Sequence, residues 1–377
     1  MSSFGKYARW SFMLGSVIVL AAACPGNSDD KLATVTNPAQ QYQTMVNRAV
    51  EYLKVRGQAD DGSFSGAAGV GPTGLVVTAL VSVGATAEDP VVVKALKYLE
   101  ANVQPDGGIY KVESKHRNYD TCLVMVAFAS VNKNGKYDAL VKKAEAFVKD
   151  IQWDEGEGKE KSDLFYGGAG YGSSSRPDLS NTSFMIEALK SLGNGPDDEA
   201  IQKALQFVSR CQNLESPANN SPHAAKVNDG GFYYTVAGGG ESKAGNEENG
   251  GLRSYGSMTY AGLKSMIYAG VSKDDPRVKA ATEFLRKNYD LDSNPGMGLQ
   301  GLFYYYHTMA KALDAFGEEF FTDAKGVKHA WKDELRMKLA TLQLADGSWV
   351  NENTRWMEGD PNLVCGYALL ALSFCKP

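Results

Sequence analysis

The stretch Gln343-Leu344-Ala345-Asp346-Gly347-Ser348-Trp349 decides the fold. Asp-Gly supplies a positive φ with no Cβ clash, so it marks a tight turn. The aromatic residue two positions later is placed to cover the adjoining helix ends. A Gln just before the turn is placed to bond backbone groups left unpaired at a helix terminus. The same grammar recurs at Gln58-Ala59-Asp60-Asp61-Gly62-Ser63-Phe64 and at Gln104-Pro105-Asp106-Gly107-Gly108-Ile109-Tyr110. Looser copies are Tyr166-Gly167-Gly168-Ala169-Gly170-Tyr171, Asp229-Gly230-Gly231-Phe232 and Pro295-Gly296-Met297-Gly298-Leu299. Successive turns lie about 45 to 70 residues apart, a spacing that points to helical repeats.

Working outward from each turn, an amphipathic helical pattern precedes it and a more apolar one follows. The preceding patterns begin near Gln41, Pro90, Lys136, Asp197, Asp275 and Ala330. In the second, Val92, Ala95, Leu96 and Leu99 recur at helical spacing opposite Lys94, Lys97 and Glu100, which gives one wet face. The following patterns are Thr73–Val83, Tyr119–Val131, Leu179–Leu192, Tyr255–Ala269, Gly301–Phe316 and Pro361–Phe374. They are apolar nearly all round and therefore buried on most sides. Wet helix, glycine turn, dry helix, six times over, predicts an all-α chain: an (α/α)6 toroid of six helical hairpins, dry helices inside and wet ones outside. An open superhelical solenoid is the alternative.

Composition narrows the functions. The chain has 377 residues, 43% hydrophobic and 22% charged, with a formal net charge of −5. That is ordinary globular composition, and the mild acidity with scattered Lys and Arg excludes a concentrated nucleic-acid-binding face. Five cysteines are too few for a disulfide scaffold. Cys365 and Cys375 stand about 15 Å apart along one helical pattern and do not bridge within it. Buried free thiols are expected.

At the N-terminus, Lys6 and Arg9 precede a short apolar run from Ser11 to Ala23, too short for an ordinary membrane span and suited to a signal peptide. Ala21-Ala22-Ala23 then meets Cys24. This resembles a bacterial lipoprotein signal with Cys24 as the lipidated residue, although Ala21 stands where that family prefers Leu. Plain cleavage after Ala23 is the other reading. The expected organisation is a signal at 1–24, a polar linker at 25–40 and the toroid at 41–377. The mature protein is expected in the periplasm or cell envelope, touching the membrane only through the N-terminal anchor.

The repeat grammar resembles that of squalene and terpene cyclases and of protein prenyltransferase β subunits, over roughly Gln41 to Phe374. The resemblance implies an α/α toroid with a central cavity for isoprenoids. It also exposes what is missing. The cyclase Asp-x-Asp-Asp-Thr element aligns with Asp178-Leu179-Ser180-Asn181-Thr182. The proton-donating acid falls on Ser180, and a hydroxyl lacks the acidity to protonate an alkene. Asp178 survives, with helix capping as its plain structural role. The prenyltransferase zinc segments align with Arg253-Ser254-Tyr255 and Tyr306-His307-Thr308. Arg253 replaces the ligating carboxylate and Tyr255 the Cys, so one ligand of three remains and no metal is expected. Asp120 and Cys122 have the Asp-x-Cys spacing but lie in another repeat from His307.

Two kinds of candidate residue remain. Asp178, Asp120 and His307, with Glu187, are the groups able to serve acid–base chemistry. Arg253, Tyr255, Tyr306, Tyr171, Trp356 and Arg355 lie near the starts of the dry helices and are the expected ligand-binding residues. Those helices start at one end of the ring, where their dipoles favour an anionic or electron-rich ligand. The function expected is binding of an apolar or isoprenoid-like small molecule, or of a protein partner, in the cavity, with no cofactor. Two alternatives stand beside it. One is a polysaccharide lyase or hydrolase on an α/α toroid, and the other is a terpene cyclase using a different acid.

Overall fold

The computed structural model describes residues 37–172 and 174–377, so the signal segment and Cys24 lie outside the described residues. From Pro38 to Pro377 the chain forms one compact unit. Six helices make an inner ring: α2 (Gly71–Ser82), α4 (Arg117–Val131), α6 (Leu179–Ser191), α9 (Gly256–Tyr268), α11 (Leu302–Phe316) and α13 (Pro361–Ser373). Six outer helices precede them: α1 (Pro38–Tyr52), α3 (Pro90–Glu100), α5 (Asp138–Asp150), α7 (Glu199–Arg210), α10 (Pro276–Lys287) and α12 (Trp331–Leu342). Each inner helix packs on the next, and α13 packs back on α2. The ring is therefore closed, and the open solenoid is excluded. The described residues also include a short α8 (Ala224–Val227), a π-helical turn at Leu53–Gly57, 3-10 turns at Gly66–Ala68, Glu155–Glu157 and Arg355–Met357, and a two-stranded hairpin, β1 (Phe321–Thr322) with β2 (Lys328–His329).

Burial follows the wet and dry patterns. Along α2 every residue from Gly71 to Leu80 is buried, whereas α1 buries only Tyr42, Met45, Val46 and Ala49. Cys122, Cys211, Cys365 and Cys375 are buried free thiols. Among the described residues no helix is long and apolar enough to cross a membrane.

The turns interlock neighbouring hairpins. Gln343 does not cap its own helix. Its Nε2 donates to the Gly347 carbonyl within the turn and to the Met45 carbonyl on α1, each at 2.9 Å. Gln58 reaches Val91 on α3, Gln152 reaches Ala200 on α7, and Gln212 reaches Arg277 on α10 in the same way. Gln104 is the exception, bonding Asn102 and Tyr110 within its own loop. Gly347 has φ +94, and a Cβ there would sit 2.4 Å from the Arg48 carbonyl oxygen. Glycine is needed twice over, for the left-handed backbone and for the close approach to the next outer helix. Asp346 accepts from the Ser348 amide at 3.0 Å and its hydroxyl at 2.7 Å. These bonds hold its carboxyl below the usual range.

A threonine locks each of four turns to its inner helix. Thr73, Thr121, Thr182 and Thr259 accept the amides of Phe64, Ile109, Ala169 and Phe232, at 2.9 to 3.0 Å. Trp349 is fully buried and donates its indole N–H to the Leu339 carbonyl at 2.9 Å.

Candidate functional site

The N-terminal turns of the inner helices surround a cavity of roughly 220 Å³. Its wall comes from the second or third residue of helix after helix. Pro72 is on α2, Tyr119 on α4, Ser180 on α6, Ser257 and Met258 on α9, Tyr304 on α11 and Leu363 on α13. One turn deeper, Phe184 and Tyr367 close the floor. Loops add Tyr171, Tyr234, Tyr255 and the rim pair Trp356 and Met357. The rim is open, with Trp356 42% and Met357 44% exposed. The wall is thus chiefly aromatic.

Among the wall hydroxyls, Ser180 Oγ and Tyr304 Oη are 3.0 Å apart. The rings pack on one another, Tyr119 with Tyr171 and with Phe184 at 6.1 and 5.4 Å and Tyr304 with Tyr367 at 5.9 Å between centroids. Burial raises the pKa of the Tyr119, Tyr171, Tyr234, Tyr304 and Tyr367 phenols above the ordinary value. They stay neutral, so they can donate or accept hydrogen bonds but cannot act as bases at physiological pH. Lys243 lies over the Tyr234 ring, 4.5 Å from its centroid, and is paired with Glu241.

Glu358 is the one carboxylate among the described residues lining the cavity. Its oxygens accept from the amides of Phe303 at 3.2 Å and Tyr304 at 2.8 Å and from Asn351 Nδ2 at 2.6 Å. It caps α11 and is 1% exposed. Burial raises its pKa above the ordinary carboxylate value.

Capping also accounts for the surroundings of the expected acids. Asp178 accepts from the Asn181 amide at 2.9 Å and Asn181 Nδ2 at 2.7 Å. Burial pushes its carboxyl up to about 6, against the bonds from Asn181. It does not line the cavity. Asp120 is 1% exposed and accepts from the Gly71 amide and Ser114 Oγ, both at 2.9 Å, so it caps α2 from α4. Asn294 caps α9 by accepting the Ser257 amide at 2.9 Å, and Asp360 caps α13. The expected anion-attracting mouth is corrected by this arrangement. These inner-helix starts already hold protein acceptors, four of them carboxylates, so the dipoles are answered from within.

Of the six expected ligand-binding residues, Tyr171, Tyr255 and Trp356 line the cavity. The other three lie elsewhere. Arg253 is at the surface, paired with Glu247 at 2.9 Å. Tyr306 is fully buried, its hydroxyl donating to the Leu291 carbonyl at 2.6 Å. Arg355 bonds Gln300 and covers Trp356 from 4.4 Å. Adjacent tyrosines on a helix point about 100° apart. In Tyr304-Tyr305-Tyr306 only the first meets the cavity. His307 lies below the floor, 1% exposed, stacked on Tyr367 at 5.4 Å. The zinc-segment positions Arg253, Tyr255 and His307 therefore occupy three different settings. Among the described residues no group of His, Cys, Asp and Glu is arranged to hold a metal ion.

Sequence reasoning missed Tyr119, Phe184, Met258, Lys243, Glu358 and Tyr367. The signal was available for those on helices. Once the six dry helices are aligned by their turns, their first-turn positions form one column, and that column is the wall.

Residues 71–236 match the squalene-hopene cyclase C-terminal domain family. No curated protein matches the chain by sequence. Among solved structures, the chain is similar to a family 76 glycoside hydrolase α-mannanase from Bacteroides thetaiotaomicron. The identity is 11%, over 90% of this chain and 98% of that one, with a TM-score of 0.55. It is also similar to a family 88 glycosyl hydrolase from Bacteroides vulgatus, with 10% identity over 89% and 98% of the two chains and a TM-score of 0.52. At such identities the likeness is one of fold.

Proposed function

We propose that this squalene cyclase-like α/α toroid is a binding protein that takes an apolar, isoprenoid-like small molecule into the aromatic cavity at the starts of its inner helices. The observation that carries the reading is the wall itself. Aromatic rings from most of the inner helices and the loops between them surround a hollow in which, among the described residues, the one lining carboxylate is already spent on capping. An engineered cavity of about 150 Å³ takes up benzene, whereas drug-sized ligands need about 300 Å³ or more. At roughly 220 Å³, the hollow holds one end of a prenyl chain, and the remainder lies against Trp356 and Met357 at the rim. Ser180 at the acid position shares a hydrogen bond with Tyr304 and has no acidic proton to give the ligand.

The polysaccharide reading has the fold likeness in its favour, but glycoside hydrolysis by the common route needs two carboxyl groups about 5 to 9.5 Å apart across the bond. Glu358 has no such partner among the described lining residues. The test is titration of the purified chain with a C10 or C15 prenyl alcohol, read by calorimetry and tryptophan fluorescence, beside an assay for reducing ends from α-mannan. Saturable prenyl binding without sugar release supports the reading. Absence of prenyl binding, or cleavage of the polysaccharide, overturns it.

Export and lipidation at Cys24 are part of the same proposal, supported by the basic start, the apolar run and the small residues before the Cys. Intact-mass measurement of the protein from a bacterial envelope tests it. A diacylglyceryl adduct on an N-terminal Cys24 is expected. A chain retaining Met1 overturns it.

A further inference from the structure

Among the described residues lining the cavity, Lys243 is the one lysine or arginine. It stands in the loop between α8 and α9, its side chain 22% exposed. Its ammonium lies over the Tyr234 ring and donates to Glu241 Oε1. The other oxygen of Glu241 accepts from Arg176. Bonds from both cations hold the Glu241 carboxyl below its usual range. The charge of Lys243 is therefore answered by the protein, but its hydrogen-bonding capacity is not. An ammonium has three N–H donors, and among the described residues only Glu241 accepts from this one. Free N–H donors are thus part of a wall that is otherwise chiefly aromatic.

We propose that the ligand is a neutral isoprenoid carrying one oxygen acceptor at its head, an alcohol or a carbonyl group, bound with that oxygen on Lys243 and its hydrocarbon end against Phe184 and Tyr367. This assignment rests on the isoprenoid reading of the cavity, to which it adds the head group and the direction of entry. Desolvation sets the oxygen. A plain hydrocarbon filling the cavity strips water from the free N–H groups of Lys243 and returns nothing, which is costly for a charged donor. A ligand oxygen replaces that water with a charge-assisted hydrogen bond. A site that hydrogen-bonds a substrate group rejects the analogue lacking it more sharply than an apolar pocket rejects a missing methylene. Neighbouring charges set the head neutral. A cationic head would face Lys243 itself. An anionic head would compete with Glu241 for Lys243 and Arg176, and would share the cavity with Glu358. Depth sets the direction. Lys243 belongs to a loop, whereas Phe184 and Tyr367 close the floor one helical turn below the mouth.

The test is a calorimetric titration with C10 compounds of one isoprenoid skeleton: the hydrocarbon, the alcohol, the amine and the carboxylic acid. The wild-type chain is expected to bind the alcohol about tenfold more tightly than the amine or the acid. Lys243→Met keeps the stem and leaves Glu241 its bond to Arg176, so no carboxylate is orphaned. In this variant the ratio of alcohol to hydrocarbon affinity is expected to fall about tenfold, as for a hydrogen bond to a charged group. Lys243→Arg keeps donors at the same place and is expected to retain most of the ratio. An unchanged ratio in Lys243→Met overturns the proposal and leaves the isoprenoid reading standing. Tighter binding of the amine or the acid than of the alcohol does the same. No saturable binding of any of these compounds overturns both. Should Lys243→Met fail to fold, the head-group series on the wild-type chain decides the matter.

Discussion

Gln343 donates its side-chain amide to the carbonyl of Met45 at 2.9 Å, across 298 positions of sequence. This bond joins the last hairpin to the first, and Gly347 beside it leans on Arg48 of the same outer helix. Closure of the ring is thus a contact between chain ends, made by the same turn chemistry that joins neighbours elsewhere. Gln343→Ala is expected to cost about 1–3 kcal/mol, since two buried carbonyls lose their donor. Gly347→Ala is expected to cost at least about 2 kcal/mol, through left-handed strain and the backbone clash together. Gly193 is the control. It has φ +91, but a methyl group added there would meet nothing within 4 Å, so Gly193→Ala carries only the strain, about 1 kcal/mol. Urea unfolding of the three variants checks the order.

Asp178 predicts a pH dependence. Its folded value near 6 lies above the roughly 3.9 of an unfolded chain. Between those values the folded protein holds a proton that the unfolded chain has released. The contribution of this group is therefore complete below about pH 4 and is lost as the pH rises through 6. The loss is on the order of 3 kcal/mol. Asp178→Asn keeps a capping oxygen for the Asn181 amide. The Asn181 side-chain oxygen, which has no partner, can turn to accept from the new amide. The variant is expected to flatten the stability profile between pH 4 and 6. Carbon-13 titration of the wild-type carboxyl should find its midpoint near 6, and a midpoint below 4 contradicts the assignment.

Trp356 predicts a separation of stability from binding. It has φ +55 and its neighbour Met357 φ +64, both unusual for residues with a Cβ. The strain holds an exposed indole at the cavity rim, against Gly301. Trp356→Gly relieves the strain but gives the unfolded chain more freedom. Unfolding free energy is expected to stay within about 1 kcal/mol of wild type. Affinity for a C15 prenyl alcohol is expected to fall about 5- to 30-fold, the loss of part of an aromatic contact worth about 1–2 kcal/mol. Equal affinity in the two proteins removes Trp356 from the binding site.

The fold was legible because its two signals are local. Asp346-Gly347 marks a turn by backbone sterics alone, and α2 declares itself inner by having no polar face. Closure was not local, because no residue near Gln343 says that its partner is Met45. The site was half legible for a related reason. Tyr255 and Tyr171 stand beside their turns, where register is fixed. Tyr306 belonged to a run of three tyrosines whose direction depends on helix phase, and the phase put Tyr304 in the wall instead. Arg253 had a closer carboxylate, Glu247, in its own loop. Glu187 was read as a candidate acid–base group, but nothing near it in sequence points to Lys264, and only the ring brings the two together from 77 positions apart.

That pairing gives the last prediction, in which removing a charge and balancing charges have opposite effects. Glu187→Gln leaves Lys264 and Lys311, which bond its two oxygens, facing each other with no counter-charge inside the ring. Breaking a buried pair in this way typically costs about 3–5 kcal/mol. Lys311 is already held below the ordinary lysine range, by burial first and by Lys264 as well, so the variant is expected to be most destabilised at low pH, where both amines must be charged. Lys311→Met in the wild-type background removes one amine while keeping the volume of the stem. It is expected to fall within about 1.5 kcal/mol of wild type. Adding Lys311→Met to Glu187→Gln should recover part of the loss, because the repulsion needs both lysines. Urea unfolding of the four proteins at pH 6 and pH 9 gives the coupling energy directly. Additive effects at both values would mean that Glu187, Lys264 and Lys311 do not act as one charged unit.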